Sequence, residues 1–396
     1  MGETESDSFG YIKNLMKAFE NINELEIENV TIQAEELSFL IQPIMTTVAE
    51  GLASSKLLDV KRLIDSKFTI PLEKFSGQIS EVQIGSTKSE GGSRGRIVKI
   101  GGAKTMPFYS FEFENQNRPA FAMDIFDVPL KLAKMVRVHY EDVVEDPAEW
   151  AKRCVELGAD VVSLNLISTD PLLNDTSPKE AAKVVEKVLQ AVDSPIIIGG
   201  SGNKKKDPFV LEAAAEVAAG ERIILNSANT DNDYKRIVKA AIKHNHSVIA
   251  FTPMDINNQK KLNRMLLNEG LTKDHLIIDP TTAALGYGLD YSISTMERIR
   301  LSGLLGDEDL QMPILSPASN AWGAREAWMK NDELGALEYR GPLWETITAL
   351  TMALSGADLF MLSHPASVRV LKSLIDDIRG ITAKGKDVDD WITCLG

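Results

Sequence analysis

Cysteine is scarce in this chain of 396 residues. Only Cys154 and Cys394 occur, far apart and without a partner motif. That excludes a disulfide framework and fits a reducing, cytoplasmic setting. Two thiols also fall short of the four that an iron–sulfur cluster needs. Histidine is also sparse, at five, and no two of His139, His244, His246, His275 and His364 have metal-site spacing such as His-Glu-x-x-His. No apolar run approaches the ~18 residues of a membrane span. The amino-terminal stretch MGETESDSFG is polar and acidic, unlike a signal peptide. Basic residues are outnumbered, 43 against 57 acidic, for a formal net charge of −14. A surface that acidic argues against nucleic acid and anionic membrane as main partners. No Gly-x-Ser-x-Gly is present, and no Ser-His-Asp arrangement that spacing supports.

What is present is ordinary globular material, 44% hydrophobic and 25% charged, with ample length for a large core. From Ala120 onward one unit recurs. Apolar runs that end in polar or small residues start at Ala120 (AFAMDIFD), Val161 (VVSLNLIS), Pro195 (PIIIGGSG), Arg222 (RIILNSAN), Ser247 (SVIAFTPM), Leu276 (LIIDPTTA), Pro313 (PILSPASN) and Asp358 (DLFMLSHP). Runs of this length suit strands buried on both faces, as in parallel sheets. Helical patterns fill the intervals at Pro147–Leu157, Pro178–Val192, Pro208–Ala219, Asp233–His244, Ile256–Glu269, Ser294–Leu305 and Leu343–Leu354, and Pro365–Ile378 follows the last run. Proline recurs in the first turns, where its missing N–H costs nothing. Gly158, Gly220 and Gly270 stand just past helix ends. Eight β-then-α units predict an α/β fold, a closed (β/α)8 TIM barrel over about 119–380. The rival, a doubly wound sheet, lacks its Gly-x-Gly-x-x-Gly; Gly200-Ser201-Gly202 continues into Asn203-Lys204-Lys205.

Outside the barrel, 1–76 reads as a partly helical extension, with Ile12, Leu15, Met16, Phe19 and Ile22 at helical spacing. Residues 77–118 read as a β-hairpin region, Val82–Ile84 and Ile97–Ile100 flanking the loop STKSEGGSRG with a mobile tip. That loop lacks the Gly-Lys-Ser/Thr ending of a P-loop. An acidic tail, 381–396, closes the chain.

In a barrel, the carboxyl ends of the strands share one mouth. Here that rim collects Asp124 and Asp127, Asn165 and Ser168, Gly199–Asn203 with Gly200 and Ser201, Asn226, Asn229, Thr252, Asp279, Thr281, Thr282, Ser316, Ser319, Asn320 and His364, with Tyr287 in the glycine-punctuated loop GYG. Amides and hydroxyls dominate, which suits hydrogen bonding to a large polar molecule. Asp124 and Asp127 lie three apart on a strand, so at most one points inward. Asp279 before Pro280 braces its own loop or meets a ligand; His364 is a hydrogen-bonded structural residue or a proton carrier. Lys204-Lys205-Lys206 is a solvated loop or a phosphate contact.

At these strand ends the sequence resembles the small subunit of the corrinoid iron–sulfur protein, the delta subunit of the acetyl-CoA decarbonylase/synthase complex of methanogenic archaea. The likeness rests on VVSLNLISTDP, IIIGGSGNKKKDPFVLEAAAEVAAGERIILNSA, FTPMDINNQKKLN, HLIIDPTTAALGYGLDYSISTMERIRL, RGPLWETITAL and the hairpin EVQIGSTKSEGGSRGRIVKIGGAKTMPF. The resemblance implies a heterodimer with a larger gamma-type corrinoid iron–sulfur subunit, which carries the [4Fe–4S] cluster and holds most of a cobamide. It also implies contacts with the acetyl-CoA synthase and CO dehydrogenase subunits. The methyl group would pass from a tetrahydropterin (tetrahydrosarcinapterin or tetrahydromethanopterin) through the corrinoid cobalt to a nickel–iron–sulfur cluster. On this view the rim residues are a wall over the cobamide rather than catalytic groups. Two other readings stay open: a barrel that binds the methyl-pterin itself through Asp124, Asn165, Asn226 and Asp279, and a scaffold whose amino-terminal helices organise the complex.

Overall fold

A computed structural model describes residues 72–109 and 117–380. The expected extension helices before residue 72 and the tail 381–396 lie outside the described residues. An antiparallel hairpin comes first, β1 (Glu81–Ile84) with β2 (Val98–Gly101). Eight parallel strands follow: β3 (Ala120–Phe126), β4 (Val161–Asn165), β5 (Ile196–Gly199), β6 (Ile224–Ala228), β7 (Ser247–Phe251), β8 (Leu276–Asp279), β9 (Ile314–Pro317) and β10 (Ala357–Leu362). They close in sequence order, β10 pairing with both β9 and β3. The expected (β/α)8 barrel is the fold.

The helices on the outside are α1 (Lys134–Arg137), α2 (Pro147–Glu156), α3 (Pro178–Ala191), α4 (Asp207–Val217), α5 (Tyr234–His244), α6 (Ile256–Asn268), α7 (Leu289–Leu304), α8 (Leu337–Ser355) and α9 (Pro365–Ile378). Their starts are coded locally. Asp146 accepts from the Ala148 N–H ahead of α2, and Ser177 and Glu180 form a reciprocal capping box on α3. Two helices begin earlier than their apolar spacing predicts. α7 starts at Leu289 because Gly288, at φ 98°, turns the chain in directly from the β8 loop. α8 starts at Leu337, six residues before the expected Leu343, and carries Pro342 inside its early turns.

Strand alternation divides the core in two. Phe121, Met123, Ile125, Val162, Leu164, Ile196, Ile198, Leu225, Val248, Ala250, Ile278 and Phe360 face the helices. Ala120, Ala122, Val161, Ile197, Ile224, Ile249, Ile277, Leu315, Leu359 and Met361 face the barrel axis. Val82, Ile84 and Ile100 of the hairpin join that inner cluster, so β1–β2 plugs the amino-terminal end of the barrel. The hairpin loop is anchored rather than mobile. Arg94, 4% exposed, donates to Leu189 O at 2.8 Å and Val192 O at 2.7 Å and pairs with Glu221 at 2.6 Å. An arginine thus satisfies the open carbonyls at the end of α3.

Candidate active site at the barrel mouth

Along each strand the inward positions change from apolar to polar toward the carboxyl end. β3 goes from Ala120 and Ala122 to Asp124, and β4 from Val161 to Ser163 and Asn165. β6 goes from Ile224 to Asn226, and β8 from Ile277 to Asp279. The same parity turns Asp127 outward, where it accepts from the Ser168 N–H at 2.9 Å and from the Ser168 hydroxyl. One aspartate of the pair faces the mouth, as alternation requires.

The register pairs Asn165 with Gly199 and Gly199 with Asn226, so three neighbouring strands meet at one level. Gly199 is what lets the two amides converge. A Cβ there would lie 2.7 Å from Asn165 Oδ1 and 3.6 Å from Asn226 Nδ2. Asn165 Nδ2 also lies 3.5 Å from Asp124 Oδ1. Burial pushes the Asp124 carboxyl above its ordinary range, against the opposing polar groups of Ser319, Ser163 and Asn165. Asp279 is 6% exposed, and its carboxylate receives one hydrogen bond, from the Thr281 N–H at 2.9 Å. Burial raises its pKa to about 7. Thr252 is buried beside it and donates its N–H to Asp279 O at 3.0 Å. Thr281 sits at φ 73°, and its hydroxyl is buried without a partner. Asp124, Asn165, Asn226 and Asp279 thus face one recessed mouth, with Thr252 and Thr281 beside Asp279.

The other expected residues support the loops around that mouth. Thr282 and Ser316 share a hydrogen bond at 2.8 Å, and Asn320 Nδ2 donates to Thr282 O at 3.0 Å. Ser316 points toward the helices, because Leu315 takes the inward position. The Gly200–Gly202 turn is held by Asp207, which accepts from the Ser201 N–H at 3.0 Å, the Ser201 hydroxyl at 3.1 Å and the Gly202 N–H at 2.8 Å. With those donors engaged, the loop is not a phosphate cradle. Lys204 and Lys206 pair with Asp231 and Asp175, so the lysine run is a salt-bridged surface loop. Tyr287 is half-exposed and donates to Glu326 Oε2 at 2.8 Å, tying the β8 and β9 loops together.

His364 has both ring nitrogens engaged. Nδ1 accepts from the Ala366 N–H at 3.1 Å, capping α9, and Nε2 lies 3.0 Å from His139 Nε2. Burial depresses its pKa to about 3. This is the structural reading of that histidine. Beneath it lies Glu345, fully buried on α8, which accepts from Ser363 N at 2.7 Å, His364 N at 3.1 Å and Trp322 Nε1 at 3.0 Å. Glu345 and the His139–His364 contact escape a reading by motif. Their one sequence signal is a glutamate within the buried stripe of LWETITAL. Among the described residues no three His, Cys, Asp or Glu side chains form a metal-binding group, and no helix is long and apolar enough to cross a membrane.

A family model for the CO dehydrogenase/acetyl-CoA synthase delta subunit matches residues 81–332. The chain belongs to this family. The delta subunit of the acetyl-CoA decarbonylase/synthase complex from Archaeoglobus fulgidus is 53% identical over 353 residues, covering 87% of this chain and 78% of that protein. The counterpart from Methanocaldococcus jannaschii is 49% identical over 372 residues, 92% of this chain and 91% of that one. The relative from Methanothermobacter thermautotrophicus spans 97% of both chains at 45% identity. As a delta-family member, the chain is a subunit of the acetyl-CoA decarbonylase/synthase complex. Among solved structures it overlaps a dihydropteroate synthase from Xanthomonas albilineans in complex with 7,8-dihydropteroate at a TM-score of 0.48 and 15% identity, covering 68% of this chain and 97% of that one. That likeness is too distant to say anything of ligands.

Proposed function

We propose that this subunit serves the methyl-transfer step of the complex. It pairs with a gamma-type corrinoid iron–sulfur subunit and closes its barrel mouth over a cobamide held mainly by that partner. The observation that carries this reading is the graded interior: apolar below, and at the top an inward set of two carboxyls and two amides ringed by braced loops. An eight-stranded barrel has an interior just wide enough for its own side chains or one small ligand. A corrin can therefore only lie across the rim. Its amide-bearing edge would meet the Ser201, Thr282, Asn320 and Tyr287 loops, whose mutual hydrogen bonds hold them in place. When bound, the corrinoid supplies the atom that carries the methyl group. The barrel's own contribution is to exclude water and oxidant from that atom and to yield when donor and acceptor exchange. Transfer would run between a tetrahydropterin and the nickel-containing acetyl-CoA synthase cluster.

The test is the heterodimer, with cobalt and iron counted and the corrinoid's oxidation followed by absorbance. This reading expects faster oxidation once the delta subunit is stripped away. An unchanged rate would refute the shielding role.

A second reading has its own supporting observation. Asp279 is recessed and leaves one carboxylate oxygen without a hydrogen-bond partner. A recessed carboxyl with an oxygen free at the mouth invites a polar contact from a ligand. A planar pterin is narrow enough to bring a ring nitrogen to it, so the mouth would also hold the methyl donor. Binding of a tetrahydropterin that weakens in Asn165→Ala and Asn226→Ala would support this reading.

A further inference from the structure

The two inward carboxyls of the mouth are not equivalent. Asp124 lies among Ser163, Asn165 and Ser319. Asp279 has one N–H donor, from Thr281, on one oxygen. Its other oxygen has no hydrogen-bond partner among the described residues, and it is not fully enclosed although the residue is only 6% exposed. Beside it stands the buried, partnerless hydroxyl of Thr281, on a β-branched residue held at φ 73°, a region such residues rarely enter. The flanking strands, β7 and β9, carry Phe251, Thr252, Leu315 and Ser316 near that level. None of them titrates; the other titratable group facing the mouth is Asp124, and among the described residues no Lys or Arg pairs with the Asp279 carboxylate. We infer that Asp279 is the proton donor of the mouth, handing a proton to the amine nitrogen of the methyl donor as the N–CH3 bond breaks, with the Thr281 hydroxyl as a second contact. This inference rests on the second reading above, in which the tetrahydropterin binds in this mouth.

The chemistry balances without an outside oxidant or reductant. The methyl group leaves nitrogen for a nucleophilic acceptor presented by the partner, whose electron pair forms the new bond. The pair of the broken N–C bond stays on nitrogen and takes the proton of Asp279, leaving a carboxylate and a neutral secondary amine. In the reverse direction the carboxylate removes that proton as nitrogen attacks the methyl carbon. An amine nitrogen is a poor leaving group as an anion, so a proton held in place is required. A surface aspartate would be ionised at neutral pH and have none to give. Burial raises Asp279 to about 7, so a protonated form is within reach near neutral pH, the condition that favours general acid–base work in both directions.

The test uses the assembled complex with methyl-tetrahydropterin. It compares wild type with Asp279→Asn and Asp279→Glu, and separately with Asn165→Ala. Three quantities are read: tetrahydropterin affinity, the single-turnover methyl-transfer rate against pH, and the infrared carbonyl band of a protonated carboxyl at neutral pH. The expected result for Asp279→Asn is a rate at saturating tetrahydropterin down about 100-fold or more, with some loss of affinity, loss of the pH dependence near neutrality, and loss of the carboxyl band. Asp279→Glu should restore part of the rate and the band. If Asn165→Ala weakens pterin binding but Asp279→Asn keeps the wild-type rate and pH profile, the proton-donor assignment is wrong and the pterin site stands. If pterin affinity ignores Asn165→Ala, the site itself is wrong and the assignment falls with it.

Discussion

Substituting Glu345 should produce a stability change whose sign depends on pH. This carboxyl is fully buried and joins three donors from two loops of the mouth: Ser363 N, His364 N and Trp322 Nε1. Replacing it by alanine strands those donors, each at a cost of about 1–3 kcal/mol when buried, and leaves a cavity besides. The losses do not add fully, and roughly 4 kcal/mol is expected for Glu345→Ala. Glu345→Gln keeps the shape and one acceptor, so its cost at low pH is ~1–2 kcal/mol. Burial, opposed by the Ser363 N–H and by the other donors, raises the carboxyl from its ordinary 4.5 to about 7. A raised acid means that the folded protein holds the proton more tightly than the unfolded chain. The associated stability is therefore complete below about pH 4.5 and lost as pH rises through 7. At 1.36 kcal/mol per pKa unit, the span amounts to roughly 3 kcal/mol. Glutamine cannot titrate, so the gap between wild type and Glu345→Gln should shrink or reverse between about pH 5 and pH 8. Urea unfolding followed by tryptophan fluorescence at several pH values measures this gap directly. Parallel pH profiles for the two proteins, or a loss under about 1 kcal/mol in Glu345→Ala, would refute the reasoning.

Other substitutions probe other parts of the barrel. His364→Gln should flatten the acid limb of stability. A histidine depressed by burial to about 3 lends stability above its ordinary 6.5 that is lost as pH falls through the folded value, the opposite sign to Glu345, and acid titration by circular dichroism will show it. Arg94→Ala removes the ties to Leu189, Val192 and Glu221 and should cost ~3–5 kcal/mol, as when one partner of a buried pair is lost; limited proteolysis should then cut within 86–95. Gly199→Ala sets a methyl 2.7 Å from Asn165 Oδ1 and, under the pterin-binding proposal, should reduce tetrahydropterin affinity at least about tenfold, a ~1.4 kcal/mol change, with the circular dichroism spectrum unchanged.

The barrel was legible because the strands are short apolar runs buried on both faces, and several helices open with a local signal such as Pro147, Pro178 or Pro365. Alternation alone also separated Asp124 from Asp127. The sequence could not separate mouth-lining residues from loop braces. Ser316 and Thr282 look like ligands from their place in the chain, yet they bond to each other, a contact made across 34 positions. Ser201 likewise reads as a free rim hydroxyl until Asp207, six residues on, is seen to accept from it. The His139–His364 contact spans 225 positions and is set by barrel closure, which no local pattern encodes. The early start of α8 was hidden because Pro342, tolerated inside the helix, reads as a boundary.

The hairpin at the barrel's lower end makes the interior a blind alley. Val82, Ile84 and Ile100 pack against the innermost side chains, leaving no rear exit. Whatever seats itself against Asp279 must leave by the route it took in, and anything laid across the rim afterwards blocks that route. Loading is therefore a stack rather than a queue: the last molecule in is the first out. Under the proposed function, the inner ligand's release rate cannot exceed the rate at which the cover lifts, so the partner subunit sets the inner ligand's residence time without touching it.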